Sequence, residues 1–78
     1  MKNYLLRQVH IERWIELMEW QKTIAPFPIT IDEACLLWKF IDPHGARNTL
    51  KRLVDSGYAI RRGRRGKDVL YFAVEPED

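Results

Sequence analysis

One segment of the sequence, FIDPHGARNTLKRLVDSG at residues 40–57, carries helix signals at both of its ends. Asp42 is a favoured N-cap residue, and Pro43 suits the first helical position, because proline has no N–H group to leave unpaired there. Gly57 suits the left-handed position that follows the last turn of many helices. These signals predict a helix over about residues 43–56, entered through a tight turn.

The two sides of this helix differ in chemistry. Apolar residues at helical spacing predict a buried stripe of Ala46, Leu50, Leu53 and Val54. The opposite side carries mainly basic and polar residues, namely Arg47, Asn48, Lys51, Arg52 and Asp55. We also expect Ile41 to pack on Ala46 as a hydrophobic staple at the start of the helix.

Two further helices precede this one. Residues 5–22 contain neither glycine nor proline and predict a long first helix. Pro26 and Pro28 predict an extended segment that ends at Ile29. Thr30 and Glu33 then have the spacing of a capping box, which predicts a second helix over about residues 31–40. Its expected inner face is Ile31, Ala34, Cys35, Trp38 and Ile41.

The first helix is apolar on two sides. One stripe, expected to face the core, consists of Ile11, Trp14, Ile15 and Met18. A second set lies on nearly the opposite side and consists of Leu6, Val9, Leu17 and Trp20. A domain this small does not easily bury both sides against its own chain. The second set therefore either packs on the chain ends or meets another protomer, and it is the dimer interface that we predict.

The residues after Gly57 predict a β-hairpin. YAIRR and VLYFAV are rich in aromatic and branched residues and predict two strands, joined by the loop GRRGKD, within about residues 58–74. The alternation predicts an inward face of Tyr58, Ile60, Leu70, Phe72 and Val74, with Tyr71 on the outer face. The centre of the hairpin carries five cations, which are Arg61, Arg62, Arg64, Arg65 and Lys67.

Charge is distributed unevenly along the 78 residues. The net charge is only +2, yet residues 44–67 hold eight Arg and Lys residues and one acidic residue, Asp55. Residues 68–78 are acidic, and residues 75–78 are expected to form a solvated tail. A positive region of this kind indicates a polyanionic partner.

The length predicts one domain, residues 1–78. One cysteine, Cys35, allows no disulfide within the chain and no cysteine-based metal site, and His10 and His44 are isolated histidines. The apolar runs are far too short to span a membrane, and no signal peptide is evident. The expected location is the cytoplasm, and no metal, cofactor or small-molecule ligand is expected.

The stretches ITIDEACLLWKF, HGARNTLKRLVDSGYAI and VLYFAV together resemble the winged helix-turn-helix family of DNA-binding domains. The resemblance covers nearly the whole chain and is strongest to the short bacterial and phage transcription regulators. It implies an α+β fold with three helices and a C-terminal hairpin, called the wing. In this family the helix after the turn enters the major groove, and the wing touches the DNA backbone or the adjacent minor groove.

Carried over residue by residue, the resemblance implies two sets of DNA contacts. Base edges would be met by Arg47, Asn48 and Lys51, with His44 near the first turn. Phosphates would be met by Arg52, Arg61, Arg62, Arg64, Arg65, Lys67 and the outward Tyr71. The chemistry agrees, because Arg binds guanine and Asn binds adenine through two hydrogen bonds each.

The sequence thus predicts a sequence-specific regulator that binds double-stranded DNA, as a homodimer. The alternative is a winged-helix module that binds an acidic protein in a replication, recombination or phage-inhibitor complex. Structured RNA is a weaker third option, because its deep, narrow major groove would exclude the third helix. We expect no enzyme, since Glu12, Glu16 and Glu19 have no His or Cys near in sequence and GRRGKD is too short for a phosphate-binding loop.

Overall fold

The computed structural model describes residues 6–23 and 28–76 as three helices followed by an antiparallel two-stranded hairpin. The elements are α1 (Gln8–Thr23), α2 (Ile31–Trp38), α3 (Pro43–Asp55), β1 (Ala59–Arg65) and β2 (Asp68–Ala73). This is the expected α+β arrangement, with the layout of a winged helix. The predicted helix start at Leu5, Pro26 and the last two residues of the acidic tail lie outside the described residues.

Both predicted N-caps are present. The Thr30 side chain accepts a hydrogen bond from the Glu33 N–H at 3.1 Å, and the Glu33 carboxylate accepts one from the Thr30 N–H at 2.9 Å. This reciprocal pair is the predicted capping box. The Asp42 carboxylate accepts from the His44 N–H at 2.9 Å, and Pro43 is the first helical residue.

The turn between α2 and α3 differs from the prediction in one respect. Helix α2 ends at Trp38, two residues earlier than expected, because Lys39 adopts a left-handed conformation with φ 61°. The chain then turns so that Ile41 is fully exposed, with a relative exposure of 102%. The predicted staple between Ile41 and Ala46 is therefore wrong, as is the inward position of Ile41 on α2.

The core draws on every element. Its buried apolar residues are Leu17, Ile29, Ala34, Trp38, Ala46, Leu50, Leu53, Ala59, Tyr71 and Ala73. The stripe predicted for α3 is confirmed, since Ala46, Leu50 and Leu53 are fully buried and Val54 packs against them. Gly57 has the predicted positive φ, 86°, after the end of α3.

Helix α1 packs on the core with residues from both of its predicted apolar sides. Trp14 and Met18 pack on the core as expected, but Ile15 is 44% exposed. Leu17, which we assigned to a dimer interface, is fully buried within the chain. The reason is that α1 carries apolar residues on most of its circumference, so periodicity alone cannot select the side that packs on the hairpin.

The hairpin faces the core with the opposite side from the one predicted. Ala59 pairs with Ala73 and Arg61 with Tyr71, and the buried residues are Ala59, Tyr71 and Ala73. Ile60 is 41% exposed. Because side chains alternate along a strand, an error of one residue exchanges the faces. Tyr71 also exchanges two backbone hydrogen bonds with Ile29, at 2.7 and 2.8 Å, and so joins the extended segment to β2.

The strands continue through most of the predicted loop. Residues Gly66 and Lys67 alone form the turn, and Gly66 has φ 63°, as the first position of a type II′ turn needs. The register shifts between Arg61 and Arg64, where β1 has one residue more than β2. Gly63 occupies this β-bulge with φ 87°, a conformation that favours glycine.

Candidate nucleic-acid interface

The outer side of α3 is a polar, largely basic surface. Arg47, Asn48, Lys51 and Arg52 are exposed there, and His44 is exposed at the start of the helix. Asn48, Lys51 and Arg52, with Asp55, line a depression of about 400 Å³. The buried stripe on the other side of α3 fixes the direction in which this surface faces. The structure thus places the predicted helix residues together on one exposed side.

The five cations of the wing are all exposed, as predicted. The Arg61 guanidinium lies 5.9 Å from the ring centre of Tyr71, and that of Arg62 lies 5.1 Å from the ring centre of Phe72. Stacking on a ring orients a guanidinium and leaves its N–H groups free to donate. These two arginines are therefore steadied against the hairpin while they remain able to bind an oxyanion.

The far end of the wing lies against α2. The Arg65 guanidinium is 3.4 Å from the Glu33 carboxylate, and this is the one ion pair within residues 6–23 and 28–76. The pKa of Glu33 is lowered, first by the hydrogen bond from the backbone N–H of Thr30 and further by Arg65, while burial opposes the shift. At its other end the wing continues from α3, where the Tyr58 N–H donates to the Leu53 carbonyl at 2.8 Å. The wing therefore runs from the end of α3 to the start of α2.

Two of the sequence-based assignments are wrong. Tyr71 is only 6% exposed and belongs to the core, so its predicted position on the outer face is wrong. The dimer surface predicted on α1 is also incorrect in part. Leu17 is inaccessible, and Leu6 and Trp20 pack against the core, which leaves Val9 as the exposed member of that set.

Sequence reasoning missed three residues, Arg7 directly before α1 and His10 and Arg13 within it. Arg7, His10 and Arg13 are spaced three residues apart, which places them on one side of the helix start. Arg13 donates to the Thr49 hydroxyl of α3 at 3.1 Å and stacks 4.5 Å from the centre of the Phe40 ring. The basic surface of α3 therefore continues onto α1. The regular spacing could have placed the three residues on one side of α1, but not that side against α3.

His10 has an unusual environment in this extension. Its Nδ1 atom is buried and has no hydrogen-bond partner. The pKa of His10 is lowered, first by burial and then by the positive charges of Arg52, Arg13 and Arg7. The free protein thus keeps a neutral imidazole beside three guanidinium groups.

Other kinds of site receive little support from the part of the chain that the structure describes. There, no three His, Cys, Asp or Glu side chains lie close enough together to hold a metal ion. No helix in that part combines the length and apolar character needed to cross a membrane. Cys35 is half-buried, and its thiol donates to the Phe40 carbonyl at 3.3 Å.

Comparison with protein-family models, with curated proteins and with solved structures finds no match to the chain.

Proposed function

We propose that this protein is a winged helix-turn-helix regulator that binds double-stranded DNA. One observation carries the proposal. Helix α3 is held by a fully buried apolar stripe, and its opposite side exposes Arg47, Asn48 and Lys51. A helix of this kind fits the major groove of B-DNA, which is wide enough to admit one.

The residues divide into two roles. Arg47 and Asn48 have the side chains that form paired hydrogen bonds with guanine and adenine, and Lys51 lies one turn further along the same side. Arg52 and the wing cations suit phosphates, which are contacted without regard to sequence. A wing arginine also suits a narrow minor groove, where the negative potential is enhanced.

Salt-dependent DNA binding tests the proposal directly. Binding of a fluorescent mixed-sequence duplex is measured by anisotropy from about 50 to 200 mM salt. A protein that makes about 6–10 phosphate contacts loses about 10³–10⁵ in affinity over this range, because bound counterions are released. Absence of binding at the low-salt end would contradict the proposal.

Single substitutions test the division of roles on a site selected from a random pool. Arg47→Ala is expected to weaken binding to the selected site by about 1–3 kcal/mol and to relax the preference at one base pair. Arg62→Ala is expected to weaken all sequences alike and to reduce the salt slope by about one unit. Lys22→Ala, an exposed cation at the far end of α1, is the matched control and should leave both properties unchanged. A change of preferred sequence in Arg62→Ala would contradict this division.

We further propose a homodimer, which would present two copies of α3 about 34–36 Å apart, one turn of DNA. Since Leu17 is buried, an interface along α1 would have to use the exposed Val9 and Ile15 instead. Sedimentation velocity of the protein alone and with its DNA site gives the stoichiometry. One protomer per selected site would contradict the dimer.

A protein-binding role is the second candidate, and two exposed apolar residues favour it. Leu36 is 80% exposed on α2 and Ile41 fully exposed in the next turn. Under this alternative, Leu36→Ser and Ile41→Ser would abolish binding of the protein partner, while Arg47→Ala would not. Under the DNA-binding proposal, Leu36→Ser should leave DNA affinity unchanged.

A further inference from the structure

The place where α1 meets α3 concentrates positive charge. The backbone carbonyl of Arg7 accepts hydrogen bonds from the N–H groups of His10 and Ile11, at 3.0 and 3.2 Å, where α1 begins. The hydrogen bond from Arg13 to Thr49 turns the side that holds Arg7, His10 and Arg13 towards α3. On α3, Arg52 follows Thr49 by three residues and is therefore its neighbour on the helix surface. We call the group Arg7, His10, Arg13 and Arg52 the α1–α3 basic cluster.

No carboxylate within residues 6–23 and 28–76 forms an ion pair with this cluster. An arginine in a protein stays charged, so the repulsion among three guanidinium groups cannot be relieved by loss of a proton. Asp55 follows Arg52 by three residues on α3, but the two form no ion pair. Arg13 is already engaged with Thr49 and the Phe40 ring, whereas Arg7 and Arg52 are exposed.

His10 adds a second, independent sign of a missing ligand. A buried polar atom almost always has a hydrogen-bond partner in a folded protein, and one without a partner needs an explanation. The Nδ1 atom of His10 is such an atom, and the positive groups that face it come from both helices. An anion bound here would supply the missing negative charge.

We propose that the α1–α3 basic cluster binds one phosphate group through Arg7 and Arg52, and that this binding protonates His10. The inference rests on the proposed function for its source, which is a phosphodiester of the DNA backbone. A free phosphate ion has the same chemistry and is distinguished by the experiment. The bound phosphate offsets the repulsion among the arginines, so the imidazole can take up a proton.

The direction of the pH effect follows from proton linkage. In the free protein, burial and the three arginines keep the pKa of His10 below its ordinary value, so the ring is neutral at pH 7. A neighbouring phosphate raises that pKa, so between the free and the bound pKa the complex holds more protons on His10 than the free protein does. Affinity therefore rises as the pH falls, by up to about tenfold per pH unit while the free ring is neutral and the bound ring is charged.

The test measures binding of a mixed-sequence duplex at constant ionic strength from pH 5.5 to 8.0, for the wild type, His10→Gln and His44→Gln. His44 is the other histidine of the chain and lies on the DNA-facing helix, so its variant is a matched control for titration. We expect the pH dependence to be lost in His10→Gln and to persist in His44→Gln, even where the loss of His44, itself a proposed DNA contact, lowers the affinity at every pH. Arg7→Gln should weaken binding at pH 6 more than at pH 8, and thermal unfolding checks that each variant folds.

The pKa of His10, followed by NMR of the imidazole C–H groups, gives a direct readout. It should rise when the duplex is added. Inorganic sulfate, an oxyanion whose charge is constant over this range, is the probe for a free ion. A rise with sulfate but none with DNA would assign the cluster to a free oxyanion.

Two outcomes would overturn the inference. If DNA binds but its affinity does not depend on pH, or depends on pH through His44 alone, the cluster is not a proton-linked site and the proposed function still stands. If DNA does not bind and sulfate leaves the pKa of His10 unchanged, both proposals fail.

Discussion

The two ends of the hairpin are built in opposite ways. At the end away from the turn, which lies against α1, the Gln21 side-chain amide donates to the Ala73 carbonyl at 3.1 Å and accepts from the Ala73 N–H at 2.6 Å. The Trp14 indole N–H donates to the Val74 carbonyl at 3.0 Å. At the turn end, exposed arginines and a lysine surround a two-residue turn, and Arg65 alone among them pairs with Glu33 of α2 within the described residues. We call the first region the α1–β2 clamp, defined by Trp14, Gln21, Ala73 and Val74.

The difference shows where this fold depends on polar groups and where it leaves them available. In the clamp the hydrogen bonds of Gln21 are buried and that of Trp14 is half-buried, and each group is paired. The clamp therefore contributes to stability and to a single position of β2. At the turn end the charged groups are exposed to water, so they add little stability but can exchange water for a polyanion. We therefore expect substitutions in the clamp to affect unfolding and substitutions in the wing to affect binding.

The largest effect is expected for Gln21→Ala in the clamp. It leaves the N–H and the carbonyl of Ala73 buried without partners, at a cost of about 1–3 kcal/mol for each group. Denaturant unfolding measures the loss. Gln8→Ala, an exposed glutamine of the same helix, is the control and should change stability by less than about 0.5 kcal/mol. Equal effects of the two variants would show that the clamp is not a source of stability.

A smaller effect is expected for Gly63→Ala in the wing. No atom lies within 4 Å of the position that the new Cβ would take, so the cost is conformational and arises from φ 87° alone. Such a residue costs about 1–2 kcal/mol in a left-handed conformation. Gly63→Asn should cost less, because asparagine tolerates positive φ better than alanine does. If alanine and asparagine are equally tolerated in thermal unfolding, the bulge is not held in this conformation.

The smallest effect is expected for Glu33→Gln, which keeps the capping box and removes the charge opposite Arg65. An exposed pair of this kind contributes at most about 1 kcal/mol. The folded-state pKa of Glu33 is lowered, so its contribution is present above the ordinary glutamate pKa. This contribution to stability is lost as the pH falls from the ordinary glutamate pKa through the lower pKa of the folded state. The variant should lack this part of the acid-induced loss of stability, measured from pH 6 to 3. An unchanged acid profile would contradict it.

The starts of α2 and α3 were predictable because their signals are local. Thr30 with Glu33, and Asp42 with Pro43, specify two helix starts within four residues each, and both are present. The exposed basic side of α3 was predictable for the same reason, since its buried stripe has a clear period. The order of helices and strands along the chain then predicted the α+β arrangement.

Which side of α1 and which side of the hairpin face the core was not predictable, because both depend on contacts between residues far apart in the sequence. Leu17 and Ile15 are two residues apart and equally apolar, and only packing on the rest of the core buries one and exposes the other. In the hairpin, small Ala59 and Ala73 take the inward positions, where bulkier Ile60 and Phe72 had been expected. The spatial meeting of His10 with Arg52 likewise joins residues 42 positions apart, which no local pattern could reveal.

The β-bulge gives the sequence RRGRRGK a geometric meaning. Arginines there repeat every three residues, whereas strand side chains repeat every two. The extra residue at Gly63 reconciles the two periods, so that Arg61 and Arg64 pair with Tyr71 and Val69, which share one face, while Arg65 pairs with Asp68 on the other. The distribution of charge over the two faces of the wing is thus controlled by strand length as well as by composition. Deletion of a single residue there would keep every arginine and still exchange the faces beyond that point.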